Sequence, residues 1–133
     1  MDIKVQALLL ADHIYRDHNT GKFVIAGTFH QLNVATFPAT FGRSVGVFVS
    51  LSNVIGKKEI TLHFVDATTH EVLLDTRAME IFGNDPHLPI EFAVEVPPLP
   101  LPHAGMYWFQ LKTNGIMVGS IQVFVYGPPE NRK

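Results

Sequence analysis

The chain has 133 residues, no cysteine and a formal net charge of −2, which fits one domain whose core needs neither disulfide nor metal. The missing thiols exclude disulfide staples, thiolate zinc sites and cysteine nucleophiles, and the acidic balance with scattered basic residues argues against a binder that works by neutralising nucleic-acid phosphates. Charged residues make up 17%, below the roughly 25% usual for soluble domains, so the surface carries more neutral and apolar groups than average and favours a protein contact such as self-association.

The N-terminus, MDIKVQALLLADH, has an acidic second residue and too short an apolar run for a signal peptide. No run approaches the roughly 20 apolar residues of a membrane-spanning helix, so the expectation is a cytoplasmic protein. From about Asp2 to Asp12, Ile3, Val5, Ala7 and Leu9 alternate with Lys4 and Gln6 and predict the first strand, while Leu8 and Leu10 point to cover on both faces of its later half. A polar loop, His13 to Gly21, follows, and Lys22 to Leu32 predicts the second strand. Phe37-Pro38 and Phe41-Gly42 mark a long irregular connection, because proline donates no ladder hydrogen bond and holds the preceding residue extended.

Val45, Val47, Val49 and Leu51 predict the third strand, ended by Asn53 and Gly56, and Ile60, Leu62 and Phe64 the fourth. Asp66 to Glu71, DATTHE, reads as a hairpin turn whose Asp and Thr side chains bond nearby backbone donors. Val72 to Phe82 is the fifth strand, broken by Gly83-Asn84-Asp85-Pro86. In the sixth, Leu88, Ile90, Phe92, Val94 and Val96 alternate with Glu91, Ala93 and Glu95. Pro97 to Gly105, PPLPLPHAG, suits neither helix nor central strand and is read as a stiff connection crossing between sheets.

Gly105 to Tyr126 is the clearest element, a hairpin. Tyr107, Phe109 and Leu111 alternate with Gln110 and Lys112, and Met117, Gly119, Ile121, Val123 and Val125 repeat the period after Asn114-Gly115. A two-residue Asn-Gly loop would set Lys112 beside Met117. A three-residue loop, Thr113 to Gly115, instead pairs Leu111 with Met117, Phe109 with Gly119 and Tyr107 with Ile121, and is preferred for keeping the apolar sets on one face. Gly119 would then make room for the Phe109 ring. Eight short strands with turn signals between them, and no helical period or internal repeat, predict a single all-β, antiparallel β-sandwich over residues 1–133.

At Gly105-Met106-Tyr107 the chain resembles the penultimate strand of immunoglobulin-like sandwiches, where a tyrosine caps the corner made by the preceding connection. With Ala11-Asp12, Gly21-Lys22, Gly27-Thr28-Phe29 and Phe37-Pro38, it resembles an uncharacterised bacterial family of small single-domain sandwich proteins over nearly the whole chain. The resemblance implies an immunoglobulin-like fold and transfers no catalytic residue.

Seven histidines raise a metal hypothesis, yet His63, His70 and Glu71 lack a cupin arrangement, and neither a His-Glu-x-x-His motif nor a glycine-flanked serine occurs. The expectation is no cofactor and no metal. His13 and His18 in one loop could share an ion with Asp12 or Asp17, against the plainer reading of solvated loop histidines. If successive strands run antiparallel, alternate connections share an end of the sandwich. Arg16, Asp17, His18, Asn53, Lys57, Lys58, Asn84, Asp85, His87 and Asn114 then gather into one polar loop end, against the plainer reading that loops are polar because they are wet. The second candidate is the outer face of the hairpin: Met106, Trp108, Val118, Phe124 and Tyr126, joined by Phe48, rimmed by Gln110, Lys112 and Gln122 in the manner of an interface. The competing reading is that the Pro97–Gly105 connection or the C-terminal tail folds over Trp108.

The leading expectation is a non-enzymatic interaction module, a homo-oligomer binding itself or another protein through the Trp108 face, with neither nucleic acid nor membrane as partner. The rival is a ligand-binding protein or enzyme using His18, Asp85 and His87 as acid-base or metal groups. A third reading is a structural subunit of a larger assembly.

Overall fold

Alternation of apolar and polar side chains produces strands along the whole chain. The computed structural model describes residues 2–76 and 78–128. Twelve strands follow in order: β1 (Lys4–Arg16), β2 (Phe23–Thr28), β3 (Gln31–Asn33), β4 (Ala39–Phe41), β5 (Val45–Ser52), β6 (Gly56–Asp66), β7 (Val72–Asp75), β8 (Met79–Gly83), β9 (Ile90–Val96), β10 (Leu99–Leu101), β11 (Gly105–Thr113) and β12 (Ile116–Tyr126). None of the described residues forms a helix, so no helix there is long and apolar enough to cross a membrane.

One sheet has the order β2-β1-β5-β9; the larger has the order β3-β12-β11-β6-β7, with β8 also on β6; β4 and β10 form a separate two-stranded ladder. Core residues come from alternate positions of both sheets. Val45, Val47, Val49 and Leu51 of the first and Ile60, Leu62, Phe64, Tyr107, Phe109, Leu111, Val123 and Val125 of the second are each at most 2% exposed. This is an immunoglobulin-like sandwich in which β1, β5 and β9 stand as strands A, B and E and β6, β11 and β12 as C, F and G. Phe109 lies two residues after Tyr107, where disulfide-bonded members carry cysteine, and its ring packs on Phe64 at 4.9 Å.

The strand boundaries differ from expectation where the chain changes sheets. β1 continues through the predicted loop to Arg16, pairing His13 with Ala26 and Arg16 with Phe23. The predicted second strand divides: β2 stays on β1, while β3 crosses over and lies parallel to β12. The predicted fifth strand also divides at Thr76, whose hydroxyl accepts from the Leu62 N–H at 3.0 Å and donates to the Leu62 carbonyl at 2.9 Å, a carbonyl that also accepts from the Thr76 N–H at 3.0 Å. The proline-rich connection contains β10, which pairs with Ala39–Phe41; Leu99 and Leu101 are buried, and Pro100 sits in a two-stranded ladder where its missing N–H is tolerated.

The hairpin β11–β12 corrects the predicted register. Its loop is the two-residue Asn114-Gly115 turn, with φ of 48° and 82°, the geometry of a type I′ turn. Lys112 does lie opposite Met117, and Met117 is 53% exposed rather than core. A bulge then absorbs Val118, so that Leu111 faces Gly119, Phe109 faces Ile121 and Tyr107 faces Val123. Gly119 therefore makes room for β1 and not for Phe109: a Cβ there would stand 3.1 Å from Cγ2 of Val5.

Candidate functional site

Because Tyr107, Phe109 and Leu111 point into the core, Met106, Trp108, Gln110 and Lys112 project from the opposite side of β11. Register places Met106 opposite Phe124, and Trp108 between Gln122 on one side and Val65 on the other. The Phe124 and Tyr126 rings are 4.6 Å apart, and the His70 ring approaches Trp108 at 6.4 Å. The result is an aromatic stripe across the outer face of the larger sheet, each member partly exposed. The indole Nε1 of Trp108 is shielded from solvent and has no hydrogen-bond partner among the described residues.

The same face becomes polar toward the hairpin tip. Glu59, Thr61, His63, Asp75, Thr76, Ala78, Lys112 and Gly115 line a shallow groove. Nε2 of His63 meets Oδ1 of Asp75 at 3.1 Å, while its Nδ1 is buried without a partner among the described residues. Lys57 and Glu80 face one another at 4.0 Å, both largely solvated.

Two of the six residues assigned to this face lie elsewhere. Phe48 is 6% exposed and belongs to β5 in the other sheet, where it packs edge-on against Phe23 at 5.3 Å. Val118, displaced by the bulge, packs against the core. Met106, Trp108, Phe124 and Tyr126 do share the face. The C-terminal tail beyond Pro128, considered as a cover for Trp108, lies outside the described residues.

The polar loop end does not assemble. β1 pairs Lys4 with Ser52 at one terminus and Arg16 with Phe23 at the other, roughly 40 Å apart along the strand. Arg16, Asp17 and His18 therefore sit at the opposite end from Lys57, Asn84, Asp85 and His87. The parity argument failed because β2 and β5 are both antiparallel to β1 and so run in the same direction, which moves every later loop to the other end. Several of these polar groups also serve their own loops. Oδ1 of Asp17 accepts from the N–H of Asn19 at 2.7 Å and Thr20 at 3.2 Å, Arg16 donates to the Gly21 carbonyl at 3.1 Å and lies 4.4 Å from the centre of the Phe23 ring, and Asp85 accepts from the N–H of His87 at 2.9 Å. Asn53, from the second group, bonds Pro86 through its backbone N–H at 3.4 Å and Asp2 through its side chain at 3.2 Å.

Sequence reasoning missed the pairing of His103 with Asp66 at the start of β11, where Asp66 and Tyr107 are buried and the His103 ring is partly exposed. The Tyr107 hydroxyl donates to the His103 carbonyl at 2.6 Å and accepts from the His103 N–H at 3.2 Å, closing the tyrosine corner. The His103 ring stacks on Tyr107, directs Nδ1 to the Ala104 carbonyl at 2.6 Å and Nε2 to Oδ2 of Asp66 at 2.6 Å. Both partners offer acceptor oxygens, so the arrangement favours the protonated ring, in which both nitrogens donate. The Ala104 carbonyl and the Asp66 carboxylate accordingly raise the His103 pKa despite partial burial. Burial pushes Asp66 up, but hydrogen bonds from the Thr68 N–H and from His103 outweigh it and hold the carboxyl below its ordinary value. Burial raises the Tyr107 phenol, which keeps it a donor. With every member hydrogen-bonded, the cluster fastens the corner. The tyrosine carried a sequence signal; Asp66 carried one as a turn residue, accepting from the Thr68 N–H at 2.8 Å, but none for its place opposite Tyr107, which comes from register.

Residues 6–126 match the model of a family of unknown function (DUF6941). No curated protein matches the sequence. Among solved structures, the alkylpurine DNA glycosylase AlkC of Pseudomonas fluorescens, bound to DNA containing an abasic site analog, is similar at 12% identity with a TM-score of 0.54, over 92% of this chain and 30% of that one. The chain thus spans under a third of that enzyme's length, and the likeness is one of fold. An immunoglobulin-like protein of Pseudomonas aeruginosa is 11% identical with a TM-score of 0.44, over 95% of this chain and 98% of that one.

Proposed function

We propose, for a chain that belongs to the family of unknown function DUF6941, that it is a non-enzymatic, cytoplasmic interaction module that pairs with a second copy of itself through the outer face of the larger sheet. The observation that supports this reading is the Trp108 stripe. A partly exposed Trp, Met, Phe and Tyr lie side by side on a sheet face, rimmed by Gln110, Gln122 and Lys112, the composition of an interface core and its rim. The face also carries both charge signs, Lys57 and Lys112 with Glu59, Asp75 and Glu80. A two-fold contact can therefore set cations of one copy against anions of the other.

Size-exclusion light scattering of the wild type and Trp108→Ala, with circular dichroism on the same samples, tests this. The expected result is a dimeric wild type and a folded, monomeric variant. A wild type that stays monomeric at every concentration, or a variant that is folded and still dimeric, overturns the reading.

A further inference from the structure

β9 is an edge strand, and the topology says what is missing beside it. In the seven-stranded immunoglobulin sandwich, strand D lies against strand E on the far side from B. Here β9 occupies the place of E, and the two strands that precede it, β7 and β8, both pair with β6 in the other sheet. Among the described residues β9 is hydrogen-bonded to β5 alone, so its other edge presents unpaired backbone groups over seven residues.

Edge strands are commonly blunted by charged side chains, proline or a bulge. β9, sequence IEFAVEV, lies between Pro89 and Pro97 and carries Glu91 and Glu95 as its charges, but has neither proline nor bulge within its span, and its pairing with β5 is regular from Ile90 to Val96. Its core side is open at the rim. Ile90, Phe92 and Val94 are partly exposed, while their partners Leu51, Val49 and Val47 are fully buried. On the outer side Glu91 and Glu95 are exposed, flanking Ala93.

We infer that the free edge of β9 binds an extended segment of a partner protein with the pattern basic–apolar–any–apolar–basic, by adding it as the missing strand. Backbone pairing would supply affinity and alternate side chains selectivity. The two apolar residues would cover the rim at Phe92 and its neighbours, and the two basic residues would stand opposite Glu91 and Glu95, about 13 Å apart at strand rise. The pattern reads the same in both directions, so parallel and antiparallel addition both satisfy it. A second copy of this chain fits the edge poorly: antiparallel β9–β9 pairing centred on Ala93 sets Glu91 of each copy against Glu95 of the other, a like-charge contact.

Fluorescence anisotropy with labelled peptides tests the inference. The probes are GSKVSVKGS, its acidic counterpart GSEVSVEGS, and GSKVPVKGS, whose proline removes a backbone donor. The wild type is expected to bind the first at least about tenfold more tightly than either of the others. Glu91→Lys combined with Glu95→Lys, both at exposed positions and checked for folding by circular dichroism, is expected to reverse the preference toward the acidic peptide. Trp108→Ala is expected to leave peptide binding unchanged, separating this edge from the face proposed for self-association. Failure of the wild type to bind the basic peptide, equal binding of the proline peptide, or an unchanged charge preference in the double variant overturns the inference.

Discussion

Nε2 of His103 lies 2.6 Å from Oδ2 of Asp66, joining the turn after β6 to the connection before β11. The folded-state pKa of His103 is raised, so its contribution to stability is full below the ordinary histidine value near 6.5 and is lost as pH rises through the folded value. Asp66 is lowered, so its contribution is present above the ordinary aspartate value near 3.9 and is lost as pH falls through the folded value. The advantage of wild type over His103→Asn should therefore be greatest between about pH 4 and pH 6.5 and shrink on the alkaline side. Urea midpoints of both proteins from about pH 4 to about pH 9 measure it. A constant difference up to about pH 9 would contradict the ion pair.

Tyr107→Phe should destabilise by about 1–3 kcal/mol, because the carbonyl and N–H of His103 both lose their partner at a buried site. The ring's packing between His103 and Phe64 is retained, so the loss reads the hydroxyl alone. Chemical denaturation at neutral pH gives the value, and an unchanged midpoint would show that the corner contributes nothing.

Gly83→Ala should cost about 1–3 kcal/mol by overpacking. Gly83 is buried at the end of β8, and a Cβ there would collide with the carbonyl oxygen of Val54, itself 1% exposed and held in the core. Thermal unfolding followed by far-ultraviolet circular dichroism tests this, with a lowered Tm as the expected outcome.

Gly115→Ala should destabilise by about 1–2 kcal/mol for a different reason. Nothing lies within 4 Å of the added methyl, but φ is +82° and the turn cannot relax. Asn114 clamps it to Glu59, donating through its backbone at 2.8 Å and accepting through Oδ1 at 2.9 Å. If Gly115→Asn, which tolerates the left-handed region better, loses less than Gly115→Ala in the same unfolding assay, the cost is conformational.

The sequence by itself determined the fold class, because period-two alternation needs only local chemistry. Tyr107, Phe109, Leu111, Val123 and Val125 were readable as core from their spacing, and Tyr107 as a corner through the resemblance of Gly105-Met106-Tyr107 to an immunoglobulin-like strand. Tertiary structure decided whatever depends on which strands meet. The bulge at Val118 and the exposure of Met117 arise because an Asn-Gly turn prefers two residues, and the phase error this creates is repaired one step later in the strand. Phe48 has the outward phase that the sequence suggests, but outward from the other sheet, since alternation says nothing about sheet membership. Asp66 and His103, 37 residues apart, meet only because β6 and β11 are neighbours. Arg16 and Lys57 are separated because β2 and β5 lie on either side of β1 and run in the same direction, which inverts the parity of every loop after β2. The free edge of β9 is likewise invisible in IEFAVEV, since an edge strand and a central one share one pattern and differ only in what lies alongside.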